Sequence, residues 1–126
     1  MKKIINTSKA PAPIGPYSQA VVANGFLFAS GQIAMNPENG EINLSSIEEE
    51  THQVMRNINA ILLESDYTFE HIVKTTIFLS DMALFALVND VYGSYFSSSY
   101  PARETVAVKG LPKGVNVEIS ITAFKA

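Results

Sequence analysis

Arg103 and Glu118 are the two residues whose types could do chemistry together. Only two arginines occur in the 126 residues, and Arg103 stands at the mouth of the strand signal running from Tyr100 to Val108. A guanidinium is permanently charged and presents five donors in a planar fork. Burying such a cation beside Val106, Ala107 and Val108 calls for an anion to meet it. Glu118 is the one acid inside the apolar run Val115 to Phe124, which makes it the natural carboxylate to set near Arg103. Two arrangements are open. In one, Glu118 neutralises Arg103 in a structural ion pair. In the other, Arg103 grips the carboxylate of a small ligand through two parallel hydrogen bonds, and Glu118 faces a water or a substrate proton. Charge-assisted bonds of this kind contribute roughly 1.5–3 kcal/mol each.

Other chemistries find less support. His52 falls in the polar arc of a helix and His71 opens a strand. Their spacing is not that of a metal site, and solvated histidines account for both. Ser30 precedes Gly31 but lacks the Gly-x-Ser-x-Gly elbow of a serine hydrolase. No glycine-rich phosphate loop is present. Glu48, Glu49 and Glu50 read as a helix N-terminus complementing its dipole. Tyr17, after Gly15 and Pro16, is either plain core or the aromatic wall of a pocket. Asn89 lies among apolar neighbours and needs partners if buried.

The bulk composition narrows the classes further. A chain of 126 residues with 47% apolar residues suits one domain with a real core. The net charge is −3 and the lysines are scattered, so no basic stripe for nucleic acid is expected. There is no cysteine, which excludes disulfides and thiolate chemistry. The N-terminus lacks the apolar run of a signal peptide, and no stretch reaches membrane-spanning length. A soluble cytoplasmic protein is expected.

Eight elements must position these residues. Lys3 to Asn6 predicts a short strand, followed by a proline-restricted loop from Ser8 to Pro16. Tyr17 to Ala23 and Phe26 to Gly31 flank Asn24-Gly25, a hairpin signal. Asn36 to Gly40 is a turn. Ser45 or Ser46 caps a helix whose apolar residues recur at helical spacing (Ile47, Val54, Met55, Ile58, Ile61, Leu62). Glu48 or Glu49 completes a capping box, and the helix ends near Ser65. His71 to Leu79 reads as a strand. Ser80 or Asp81 caps a second helix with Phe85, Val88, Tyr92 and Phe96 on one face. Glu104 to Val108 and Val115 to Phe124 are strands, separated by a turn over Leu111 to Gly114. The order β, ββ, α, β, α, ββ, with right-handed crossovers, predicts a two-layer α+β domain: a mixed sheet with two helices on one face.

Several strands are apolar on both sides. Phe26 and Phe28 point one way and Leu27 and Ala29 the other; Ile77 and Leu79 oppose Ile72 and Phe78. Two helices cover one face only, so the second is expected to pack against another copy of the chain. On the last strand Val115, Val117, Ile119, Ile121 and Ala123 share one face. Asn116, Glu118, Ser120 and Thr122 share the other.

Four separated motifs, Ile14-Gly-Pro-Tyr-Ser-Gln19, Phe28-Ala-Ser-Gly-Gln-Ile33, Val88-Asn-Asp-Val-Tyr92, and Pro101-Ala-Arg…Leu111-Pro…Val117-Glu-Ile119, resemble those of the RidA (YjgF) family over essentially the whole chain. The resemblance implies a chorismate-mutase-like fold and a homotrimer with ligand clefts between subunits. It implies hydrolytic deamination of 2-aminoacrylate or 2-iminobutanoate to 2-oxo acids and ammonia, with no cofactor. Carried over by motif, Arg103 binds the substrate carboxylate and Glu118 positions water. Tyr17 lines the cleft, Ser30 and Gly31 border it, and Asn89 shapes it. Thr105 stands at a position often occupied by cysteine in the family, offering a hydroxyl and the same backbone groups. Members of the wider group have also been described as regulators, chaperone-like proteins and ribonucleases. A non-enzymatic module binding small carboxylates is therefore the second reading.

Overall fold

The computed structural model describes all 126 residues. Strands β1 (Lys3–Ile5), β2 (Ala20–Ala23) and β3 (Phe26–Ala29) form an antiparallel meander. The β2–β3 turn works because Asn24 and Gly25 both take positive φ, 51° and 84°. Gly25 is also required by space, since a Cβ there would lie 2.6 Å from the Lys125 carbonyl oxygen. The hairpin is shorter than predicted. Tyr17 and Gly31 lie outside it, and the last bond in its register is Ser30 N–H to the Gln19 carbonyl at 2.9 Å.

Helix α1 (Ile47–Glu64) starts at Ser46, whose hydroxyl accepts from Glu49 N–H. Val54, Met55, Ile58, Ile61 and Leu62 are buried, as the helical spacing predicts. β4 (Ile72–Leu79) follows, with His71 in a short 3₁₀ turn before it. A second 3₁₀ turn, Met82–Leu84, capped by the Asp81 carboxylate, leads into α2 (Phe85–Gly93). α2 ends before Phe96, earlier than the apolar stripe suggested. β5 (Ala102–Ala107) starts before Arg103 and so contains it, and β6 (Val117–Phe124) closes the chain.

The sheet order is β1-β2-β3-β6-β4-β5, with β4 and β5 parallel and every other pair antiparallel. The last strand is thus inserted at the centre. Its alternation is the expected one: Val117, Ile119, Ile121 and Ala123 are buried, and Glu118, Ser120 and Thr122 are not. The core forms between this face and the helices, with Leu27, Ile77, Leu79 and Ile58 fully enclosed. A register shift between Ile72 and Lys74 turns Ile72 into the core with Ile77, rather than opposite it. No part of the chain covers the other face: Phe26, Phe28, Val106 and Phe124 remain exposed on it. No helix is long and apolar enough to cross a membrane.

Candidate functional site

The strand registers decide where the two charged candidates point. Arg103 is the cross-strand partner of Thr75, and Thr75 in turn pairs with buried Ile121. Paired residues share a face, so Arg103 projects toward the helices. Glu118 pairs with Phe78 and projects from the open face. The two residues therefore do not meet within one chain. The molecule's one ion pair is Lys74–Glu104, at 3.0 Å, out on the open face. Thr76 hydroxyl also bonds Glu104, and the two contacts hold that carboxyl below the usual range.

Arg103 lies on the edge strand and is exposed rather than buried. Its Nη1 donates to Asn89 Oδ1 at 2.6 Å. The guanidinium carbon lies 5.3 Å from the Tyr92 ring centre and 5.5 Å from that of Phe85. Phe85, Asn89 and Tyr92 stand at i, i+4 and i+7, one face of α2. Tyr92 is nearly buried, and its hydroxyl donates 2.9 Å to Thr75 Oγ1. Burial pushes the Tyr92 pKa up against the pull of the Thr75 bond and the Arg103 charge. These groups frame an open cavity of about 440 Å³ lined by Asn89, Tyr92, Gly93, Tyr100, Pro101 and Arg103. Thr105 follows on the same face of β5, and its Oγ1 is the one buried side-chain polar atom without a hydrogen-bond partner.

The second group gathers round Glu118. This half-buried carboxylate has its pKa raised by loss of solvent. Gly31 lies directly against it, and a Cβ at that position would sit 2.8 Å from the Glu118 carboxyl carbon. The close approach follows from Gln32, which exchanges two backbone hydrogen bonds with Ile119. Ser30 hydroxyl donates to the Ser18 carbonyl at 2.6 Å, tying the end of β3 to the proline loop. Buried Gln19 orders that loop: its Nε2 donates to the carbonyls of Thr7, Ala10 and Pro11, and its Oε1 accepts from Thr7 N–H. Tyr17 projects from the loop, about half exposed. It shares a cavity of about 370 Å³ with Gly31, Ile14 and Pro112.

The candidates thus form two sets on opposite sides of the sheet: Arg103, Asn89 and Thr105, and Glu118, Gly31, Ser30 and Tyr17. The sequence places Phe85 and Tyr92 on one face of the second helix but does not by itself show their contact with Arg103. Their spacing with Asn89 is the available signal, but it becomes informative only once β5 is known to lie under α2. Glu50 lies in the first turn of α1 with Glu48 and Glu49, as expected, but has a further role. It is fully buried, and it accepts from Asn116 N–H, Asn116 Nδ2 and Val117 N–H. Both histidines have structural partners. His52 Nδ1 meets Tyr95 hydroxyl at 2.8 Å, and His71 Nδ1 accepts from Thr68 N–H at 2.9 Å.

Known proteins share this whole framework. The family model described as Endoribonuclease L-PSP matches residues 7–125. A Bos taurus protein named 2-iminobutanoate/2-iminopropanoate deaminase is 46% identical over 125 residues, covering 99% of this chain and 91% of its own length. The crystal structure of YyfA from Yersinia pestis, described as a member of the conserved Rid protein family, is 48% identical. It superposes with a TM-score of 0.97 over 99% of this chain and 100% of its own. The structure of E. coli TdcF with bound serine is 37% identical, with a TM-score of 0.94 over 98% and 99% of the two chains. The two-layer α+β fold, the near-complete coverage and these identities place the chain in the RidA (YjgF) family.

Proposed function

We propose that the protein is a 2-iminobutanoate/2-iminopropanoate deaminase, hydrolysing reactive enamines and imines to 2-oxo acids and ammonia. The observation that carries this reading is the state of Arg103. Its guanidinium is held by a neutral amide oxygen and two ring faces, with no carboxylate in reach. Its charge is left for an anionic ligand, and a bidentate bond to a substrate carboxylate fits the fork. The serine bound to the E. coli relative is a small amino acid carrying such a group.

Glu118 supplies the second part. A protonated imine is already electrophilic, so orientation and a placed water suffice. In this mechanism Glu118 takes a proton from water as its oxygen bonds to C2. It returns that proton to nitrogen, the C–N bond breaks, and ammonia leaves. The hydroxyl proton passes to solvent as the 2-oxo carbonyl forms. Tyr17, Ser30 and Gly31 wall the Glu118 side. Asn89 and Thr105 shape the Arg103 side, where the Thr105 hydroxyl is buried and without a partner in its own chain.

Because the two sets occupy opposite faces of one sheet, a complete site requires two copies of the chain. A homotrimer with clefts between subunits meets that need and covers the exposed Phe26, Phe28 and Val106 surface. The scattered charge does not favour nucleic acid as the ligand.

The test couples a serine or threonine dehydratase to the protein and follows 2-oxo acid formation, with semicarbazide competing for the imine. Acceleration by the native protein, nearly abolished by Arg103→Ala with the oligomer intact, is the expected result. No acceleration overturns the reading.

A further inference from the structure

A long arginine side chain ordinarily samples many rotamers, and ordering it on binding weakens a ligand. Arg103 is exposed, yet it is held on several sides. Asn89 Oδ1 meets Nη1, and the rings of Phe85 and Tyr92 lie 5.5 and 5.3 Å from the guanidinium carbon. The Tyr92 ring is itself fixed, because its hydroxyl donates 2.9 Å to Thr75 Oγ1 inside the core. Thr75 is also the cross-strand partner of Arg103. The contacts close a circuit: from Arg103 across the β-ladder to Thr75, from Thr75 to the Tyr92 hydroxyl, and from the Tyr92 ring back to Arg103. None of these partners is anionic, so the circuit orients the cation without neutralising it.

We infer that Phe85 and Tyr92, with Thr75 behind Tyr92, are positioning residues that hold Arg103 ready for a carboxylate before any ligand arrives. The inference adds to the proposed function, and its ligand-binding arm rests on Arg103 being the carboxylate anchor. The pose of Arg103 can be read without any ligand or activity.

The chain holds only two arginines, Arg56 and Arg103, so NMR of the arginine side-chain Nε–Hε groups reads the pose directly. Arg103→Lys assigns the signals. In the ligand-free wild type, the Arg103 signal is expected to be displaced by the ring currents and its guanidinium rotation slowed. Tyr92→Leu should return it toward the free-arginine position, and Tyr92→Phe, which keeps the ring but loses the Thr75 bond, should restore only part of the displacement. If Tyr92→Leu does not fold, Phe85→Leu serves instead, with a partial loss expected. Titration with 2-oxobutanoate should then show affinity weakened about tenfold in Tyr92→Leu and partly recovered in Tyr92→Phe. The uncharged 2-oxobutanamide should be unaffected, whereas a merely structural lesion would weaken both ligands. An undisplaced Arg103 signal in the wild type, or one unchanged by the leucine variants, overturns the inference. A wild type that shows the displaced signal but binds no 2-oxo acid supports the held pose and overturns the proposed function instead.

Discussion

A half-buried carboxylate with no cation of its own chain beside it is a burden to the fold of that chain at neutral pH, and Glu118 carries that burden. Loss of solvent raises its pKa. For an acid raised in this way, the folded state binds its proton more tightly than the unfolded chain does. Its favourable contribution is complete below the ordinary carboxylate range and is lost as pH rises through the raised value. Glu118→Gln should therefore melt at a higher temperature than wild type at pH 7, with the difference shrinking to nothing near pH 4. Thermal melts across that range check it, and equal melting temperatures at pH 7 refute it. Deaminase activity should disappear in the same variant. In the proposed mechanism the water needs the ionised form, so wild-type activity should fall as pH drops through the raised Glu118 pKa. The mirror-image change is at Asn89. Asn89→Asp keeps the shape but places a carboxylate 2.6 Å from the Arg103 guanidinium, where it competes with the substrate. KM should rise about tenfold or more. An unchanged KM would mean that Arg103 does not bind the carboxylate. At this scale the sequence was informative because rare residue types stand out: one acid in an apolar strand, and one arginine at a strand. Whether the two meet was not legible, since a single step in register decides the face.

At the scale of elements, local periodicity served where one element decides its own structure. Helix α1 declared its cap and its apolar face, and β6 declared its alternation. The features it did not reveal depend on contacts between elements. Glu48, Glu49 and Glu50 look alike in sequence, but only Glu50 turns inward. There it clips the first turn of α1 to Asn116 and Val117, at the start of the strand that carries Glu118. Ser80 bonds the same Asn116 through both its backbone N–H and its hydroxyl, so the clip also secures the end of β4. Glu50→Ala would leave two backbone N–H groups and an amide unpaired in a dry site. A loss of about 3 kcal/mol is expected, which corresponds to roughly 10 °C in Tm for a chain of this size. A shift of a degree or two would show that water replaces the carboxylate there. The β4 bulge that returns Ile72 to the core was hidden for a related reason: nothing in Ile72-Val73-Lys74 signals an extra residue until the partner strand is known.

The whole molecule poses the question that no single chain answers. One side of the sheet is sealed by two helices, and the other exposes Phe26, Phe28, Val106 and Phe124. Arg103 belongs to the sealed side and Glu118 to the open one. If an open face of one copy meets the Arg103 edge of the next, the contact is head-to-tail, and such contacts close into rings when the rotation between copies closes, as in the proposed trimer. Each site in a ring then takes Arg103 from one subunit and Glu118 from its neighbour. This predicts that two dead variants repair each other. Arg103→Ala and Glu118→Gln subunits, each inactive alone, are mixed in equal amounts, dissociated and reassembled. In randomly assembled trimers about three-quarters of the rings are mixed, and each mixed ring has one site with both native residues, so about a quarter of wild-type activity returns. Native mass spectrometry confirms that mixed rings have formed. If they have formed and the mixture stays as inactive as its parents, Arg103 and Glu118 do not share a site across a subunit boundary. The intersubunit cleft proposed for this chain then fails.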